Sequence, residues 1–378
     1  DRNYGGILIV WDRLFGSFEE ESEKCVYGTR SPLDSWDPLW SNVEVYWALA
    51  KDSWHARNWA DKLRVWIKPP GWRPADVAAR FPKEPFDIAQ VKRFAPPMTK
   101  GLLWFAGVQF AALLLAAIAF LWNAEGMPLA QATAWVVALS AGLWALGAAM
   151  QGRLTMLEVL LIEAAALSTA TAAAGWADAH RVFKPLAMIG AIAFVLQRGR
   201  VQWLLLAALV FSLMGDVLLP AYFIPGLVSF LVAHLCYTAL FRQDAPWFAN
   251  RKALAGALAA AAVMYAILFA HLAPVLKAAV ACYAIVIACM AAQAIGRATA
   301  LKDANAIGVA AGALVFMLSD SLLAIDKFAV PLPMAQFLVL ATYYAAQVLI
   351  VHNARATPES QARDQRIQLM QHGTRQAH

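Results

Sequence analysis

After residue 100 the chain is a succession of apolar stretches broken by short polar turns. Each is near the roughly 20 residues that a helix needs to span hydrocarbon. Ten such stretches predict ten spans, at about 101–122, 131–150, 154–176, 182–197, 201–219, 223–241, 252–270, 274–296, 305–325 and 332–351. The pattern before residue 100 differs. Trp-rich, charged text such as DSWDPLWSNVEVYWALAKDSWHARNWADKL predicts helices lying at a membrane surface, with Trp at headgroup level, or a small water-facing helical unit. The Pro-rich run KRFAPPMTKG (92–101) joins the two parts, and the polar tail from about residue 353, which lacks aromatics, is expected to be disordered. The predicted fold class is all-α: a polytopic integral membrane protein of about ten transmembrane helices with an N-terminal water-facing or interfacial segment.

Composition agrees. The chain is 61% hydrophobic and 15% charged, with a mean hydropathy of +0.54, whereas soluble chains are about half apolar and a quarter charged. The net charge of +6 does not point to nucleic acid, because the basic residues are scattered through short loops. Their distribution is topological instead. Arg153, Arg198, Arg200, Arg242, Arg251, Lys252, Arg297 and Lys302 fall in alternate loops, and Arg355 and Arg363 in the tail; the other loops hold only Arg181, Lys277 and Lys327. The positive-inside rule then places both termini in the cytoplasm, as an even number of spans requires. Cys25, Cys236, Cys282 and Cys289 show no CxxC spacing, so neither a disulfide framework nor a zinc site is expected. A chain opening on Asp1 reads as the later part of a longer product, so the signal-peptide pattern missing from these residues says nothing of a leader.

Two aspartates interrupt the apolar stretches, Asp216 in FSLMGDVLLP and Asp320 in GALVFMLSDSLLA. A charge at such depth costs roughly 2.5–3.5 kcal/mol, so an intramembrane acid is by default a functional candidate. Each follows the start of its span by about 15 residues, or about 22 Å, and Lys184, near the outer end of an oppositely directed span and so close to its first residue, falls in the same layer. Polar residues also recur on single helical faces: Gly226, Phe230, His234 and Tyr237; Ser212 one turn before Asp216; Gly312, Phe316, Ser319 and Asp320; Tyr343, Tyr344 and Gln347. Such faces point into a shared interior. Glu158 and Glu163 do not share a narrow face and are expected to bond between helices rather than form a second acid pair. On these residues alone an acid–base enzyme and a proton-relaying lipid transporter both stay open.

The string DRNYGGILIVWDRLFGSFEEE, followed by VYG at 26–28 and KPPGW at 68–72, resembles the C-terminal part of alkylglycerol monooxygenases, in the sterol desaturase and fatty acid hydroxylase superfamily. The resemblance runs to about residue 176. It implies a di-iron oxygenase whose metals are held by clustered histidines, because several neutral imidazoles must converge on each iron. The last histidine box of that pattern is expected upstream of Asp1. The seven histidines present (His55, His180, His234, His271, His352, His372 and His378) are isolated, so iron is expected only in a longer protein.

FKPL at 183–186, FSLMGDVLL, FIPGLVSFLVAHLCYTALF, GALVFMLSDSLLA and ATYYAAQVLIV occur in that order over about 154–352. Together they resemble the YhhN family of lysoplasmalogenases, membrane proteins of eight spans. The expected organisation is therefore 1–100 as part of the oxygenase-like region, 101–153 as two further spans of it, 154–352 as the eight-helix domain and 353–378 as the tail. The resemblance implies Asp216 and Asp320 as the catalytic pair, with Lys184, His234, Tyr237, Ser319, Tyr343 and Gln347 lining the site. It also implies membrane ether lysophospholipids as substrates and neither cofactor nor metal. Vinyl ether cleavage needs an acid to protonate carbon and a base to activate water, and two adjacent carboxyls sharing a proton supply both. Lys184 either meets the lipid phosphate or pairs with one of the acids.

Overall fold

The computed structural model describes residues 6–20, 32–83, 87, 94–198 and 201–354. Most of the NYGG string, VYG at 26–28, Cys25, Arg200, His372, His378 and the tail from 355 lie outside the described residues. The chain divides into two compact units, Asp1–Pro97 and Met98–His378.

The first unit holds the 3-10 turn Gly6–Leu8 and four helices: α1 (Val10–Phe15), α2 (Pro38–His55), α3 (Trp59–Arg64) and α4 (Ala75–Arg80). Asp37 starts α2 by accepting the backbone N–H groups of Leu39 and Trp40, with Pro38 at the first helical position. Arg73 clamps Asp52 through two parallel bonds of 2.8 and 3.0 Å. The Arg57 N–H, with the Arg80 guanidinium nearby, holds the exposed Asp76 carboxyl below its ordinary range. Trp47, Trp54 and Trp59 are exposed along these helices.

The second unit contains all ten helices expected from the apolar pattern: α5 (Lys100–Trp122), α6 (Leu129–Met150), α7 (Met156–Ala173), α8 (Ala177–Gln197), α9 (Trp203–Leu218), α10 (Phe223–Arg242), α11 (Arg251–Phe269), α12 (Pro274–Leu301), α13 (Ala304–Ala324) and α14 (Ala335–Asn353). Among the described residues nine helices are long and apolar enough to cross a membrane; α9, at 16 residues, is shorter. Pro220 explains the shortfall, since a proline cannot continue a helix beyond its first turn. A five-residue π-helix, Ile325–Ala329, extends α13, closed by the Val330 N–H on the Ile325 carbonyl.

Helix contacts run α7–α8–α9–α10–α12–α13–α14 and back to α7, a closed ring. α11 sits outside it against α12, while α6 packs on α7 and α5 on α6. The largest core cluster fills the ring, from Leu161 and Met188 through Phe230 and Met290 to Phe316 and Ile350. Short links keep successive helices antiparallel. After α7, Gly175 takes a positive φ of 73° while the Trp176 N–H returns to the Thr171 carbonyl, a turn that favours glycine.

The join between α9 and α10 depends on Gly226. A Cβ there would stand 2.6 Å from the Leu219 Cα, and backbone cannot yield as a flexible side chain can. Gly226→Ala is therefore expected to destabilise the unit by about 1–3 kcal/mol, the usual range for overpacking. Thermal unfolding in detergent checks this; an unchanged midpoint would refute the close approach.

Glu158 behaves as expected for a link between helices. It completes a capping box with Thr155 and, 2.6 Å from the His352 Nδ1, ties α7 to α14. Glu163 does not: its Oε1 is buried with no hydrogen-bond partner among the described residues.

Candidate active site

The ring helices converge on a cavity of about 470 Å³. Its mouth lies where α7, α9 and α13 end and α8, α10 and α14 begin, with Gly175, Phe223, Lys327 and Gln336 around it. From there it runs between α10, α11 and α12 past Phe230, Met264 and Ala284 to Ile287. Ile287 is about 20 Å along α12 from Pro274 at 1.5 Å per residue. The wall is mostly apolar, and its polar groups gather toward the mouth.

Both aspartates face this cavity, as do Lys184, Ser319 and Tyr343. The Lys184 Nζ lies 3.2 Å from the Asp216 Oδ1, with both side chains largely withdrawn from solvent. The Tyr343 hydroxyl donates to the other Asp216 oxygen at 2.7 Å. Of the two alternatives for Lys184, the structure holds the pairing with an acid. In α8, Pro185 immediately follows it and contributes no N–H to the helix.

Asp320 has different company. The Tyr283 hydroxyl donates to its Oδ2 at 2.5 Å, and the His234 Nε2 lies 3.8 Å from the same atom, beyond hydrogen-bond length. The His234 ring is fully buried and packs edge-on against Tyr283 and Phe316, with centroids at 5.3 and 4.7 Å. Among the described residues no hydrogen bond joins Asp216 to Asp320. The two carboxylates thus line one cavity, each with its own partners. The Lys184 ammonium stands at Asp216 and the Tyr283 hydroxyl at Asp320.

Three expected lining residues stand back from the cavity wall. Tyr237 and Gln347 are fully buried and bonded to each other, the Tyr237 hydroxyl donating to the Gln347 Oε1 at 2.7 Å, and His234 packs on their neighbour Phe316. They form a supporting layer between α10, α13 and α14. Ser319 lines the cavity, but its hydroxyl donates to the Val339 carbonyl. Two cavity residues were absent from the sequence reading. Tyr283 is the one phenol in α12, which was the available signal. His180, one turn before Lys184, donates through Nδ1 to the Ser168 carbonyl at 2.9 Å, while the Ser168 hydroxyl meets that of Tyr344 at 2.9 Å.

The family model that matches this chain is the YhhN family, over residues 179–354, the stretch that contains both aspartates. These residues are a YhhN domain. The lysoplasmalogenase TMEM86B of Homo sapiens is 36% identical over 157 residues, covering 41% of this chain and 65% of the relative. The lysoplasmalogenase TMEM86A of Bos taurus is 33% identical over 153 residues, covering 39% and 62%. Alkylglycerol monooxygenase of Xenopus tropicalis is 32% identical over 125 residues, covering 33% of this chain and 28% of that enzyme. The chain thus spans less than two thirds of each of these relatives. No solved structure matches. The YhhN domain supplies every residue placed above at the carboxylates. A di-iron centre, which the second likeness brings to mind, needs converging donors. Among the described residues no three His, Cys, Asp or Glu side chains are grouped to hold a metal, so the residues present do not fit one.

Proposed function

We propose that the YhhN domain cleaves the vinyl ether bond of lysoplasmalogens, releasing a fatty aldehyde. The observation that carries this reading is the inequality of the two carboxyls in one amphiphile-shaped cavity: Asp216 faces an ammonium and Asp320 a phenol. The names of the lysoplasmalogenase relatives support the same substrate class.

The lipid chain lies along Phe230, Met264 and Ile287, and its ether end reaches the carboxyls. Asp320 enters as the acid, its Oδ2 held by Tyr283, and gives its proton to the alkenyl carbon beyond the one bonded to oxygen. The π electrons form the new C–H bond and leave an oxocarbenium ion. Asp216, paired with Lys184 and oriented by Tyr343, acts as the carboxylate that steadies that cation and takes a proton from the water that adds to it. The resulting hemiacetal collapses to aldehyde and glycerol hydroxyl, and the proton held by Asp216 restores Asp320. No step draws on a metal. By the distribution of loop arginines both termini are cytoplasmic, which opens the cavity toward the other side.

The test is direct. Purified protein in nanodiscs containing an ethanolamine lysoplasmalogen is expected to release fatty aldehyde, read by mass spectrometry, at a rate an iron chelator leaves unchanged. Lipid translocation without aldehyde would favour a transporter instead. Inhibition by the chelator, reversed by iron, would favour an oxygenase like the alkylglycerol monooxygenase relative.

A further inference from the structure

Lys184 is the cation the sequence offers to a lipid headgroup, yet it is committed to Asp216. A second lysine lines the same cavity at its mouth. Lys327 is in the π-helix that follows α13, and π-helical insertions in proteins occur frequently at functional sites. Its side chain is exposed, and the Nζ sits 4.6 Å from the centre of the Phe223 ring at the start of α10. Phe328, the next residue, meets the same ring edge-on at 5.7 Å. The ammonium is thus carried by an aromatic brace that spans the mouth from α13 to α10. Among the described residues it has no carboxylate partner. The adjacent carboxyl, Asp326, lines the cavity as well, and its Oδ1 accepts the Leu332 N–H at 2.9 Å.

We infer that Lys327 holds the phosphate of the substrate headgroup and thereby sets the depth at which the ether bond meets the carboxyls. The inference rests on the lysoplasmalogen reading and names the part of the substrate that reading leaves unplaced. Direction along the cavity supports it. The apolar wall lies inward toward Ile287, the carboxyls lie between, and Lys327 is at the opening, which is the order of chain, ether and phosphate in the lipid. An exposed ammonium on an aromatic ring keeps its three donors available to an anion. Without it a lysolipid would still enter by its chain, but nothing would fix how far.

The experiment measures binding to the protein in nanodiscs of two non-hydrolysable probes, a saturated 1-O-alkyl lysophosphatidylethanolamine and the matching 1-O-alkylglycerol, which lacks phosphate. Lys327→Gln is expected to weaken the phospholipid roughly tenfold, the effect of one lost charge-assisted bond, and to leave the alkylglycerol unchanged. Lys327→Arg should retain most of the affinity. Lys277→Gln removes a lysine at the same end of the bundle that stands over Phe269 and does not line the cavity, so it should match the unsubstituted protein. Equal losses for both probes, or none for the phospholipid, would overturn the assignment, as a lysine that only anchors the turn to bilayer headgroups predicts. Glycerophosphoethanolamine binding as tightly as the lysolipid would also overturn it, because the site would then belong to a soluble phosphate ester. These are binding measurements, so they stand even if no vinyl ether is cleaved. Aldehyde release by the unsubstituted protein tests that separately.

Discussion

Asp320→Asn is expected to lower aldehyde release by at least about 10²-fold and toward 10⁴-fold, the range that a positioned acid or base supplies. Asparagine has nearly the same size, and its carbonyl oxygen can still accept the Tyr283 hydroxyl, so the bundle should fold. What it cannot do is give a proton to carbon. Asp216→Asn should lose activity comparably for a different reason, since the amide neither steadies a cation as a carboxylate does nor takes a proton from water. The double substitution should be little worse than either single, because both residues serve one sequence of proton transfers and such effects do not add. Glu158→Gln lies outside the cavity and should keep most activity. Initial rates on protein of confirmed fold decide the matter, and near-normal release from Asp320→Asn would end the acid–base reading.

The second large effect falls on stability. Lys184→Met leaves the Asp216 carboxylate, about 5% exposed, without its counter-ion. Removing one member of a buried ion pair costs about 3–5 kcal/mol, mostly from the charge left behind. Replacing both, as Lys184→Met with Asp216→Leu, removes that stranded charge and should recover most of the loss while leaving the protein inactive. A double-mutant cycle in thermal unfolding reads the coupling. If the losses simply add, the two residues are not paired in the folded protein.

Much of this was legible in the sequence, and the gaps have physical causes. Apolar length alone fixes the ten helices, because lipid admits no unpaired backbone. Rise per residue brings Lys184, Asp216 and Asp320 to one layer, and leaves open which group Lys184 meets. Depth says nothing about position around a ring, however, and that is why the separate surroundings of Asp216 and Asp320 were missed. The order of the ring, which passes from α10 to α12 and leaves α11 outside, is set by side-chain packing far apart in the chain. Tyr237, Gln347 and His234 were expected to line the site and are buried behind its wall. Periodicity cannot tell a packed interior from a hollow one, and they belong to the packed part. Tyr283 was missed because a single phenol in an apolar helix looks the same in sequence whether it fills space or holds a carboxyl. The π-helix rests on one shifted backbone bond, which leaves no pattern to read.

The shortness of α9 has a consequence for hydration. Its 16 residues rise about 24 Å, against roughly 30 Å of hydrocarbon. A bilayer fitted to the longer neighbours must thin beside this one helix or let the aqueous boundary sag toward its end. Asp216 stands two residues before that end. The reactant that hydrolysis cannot do without therefore has the least oil to cross at the carboxyl that must receive it, and thickening the surrounding bilayer should starve the reaction without touching a side chain.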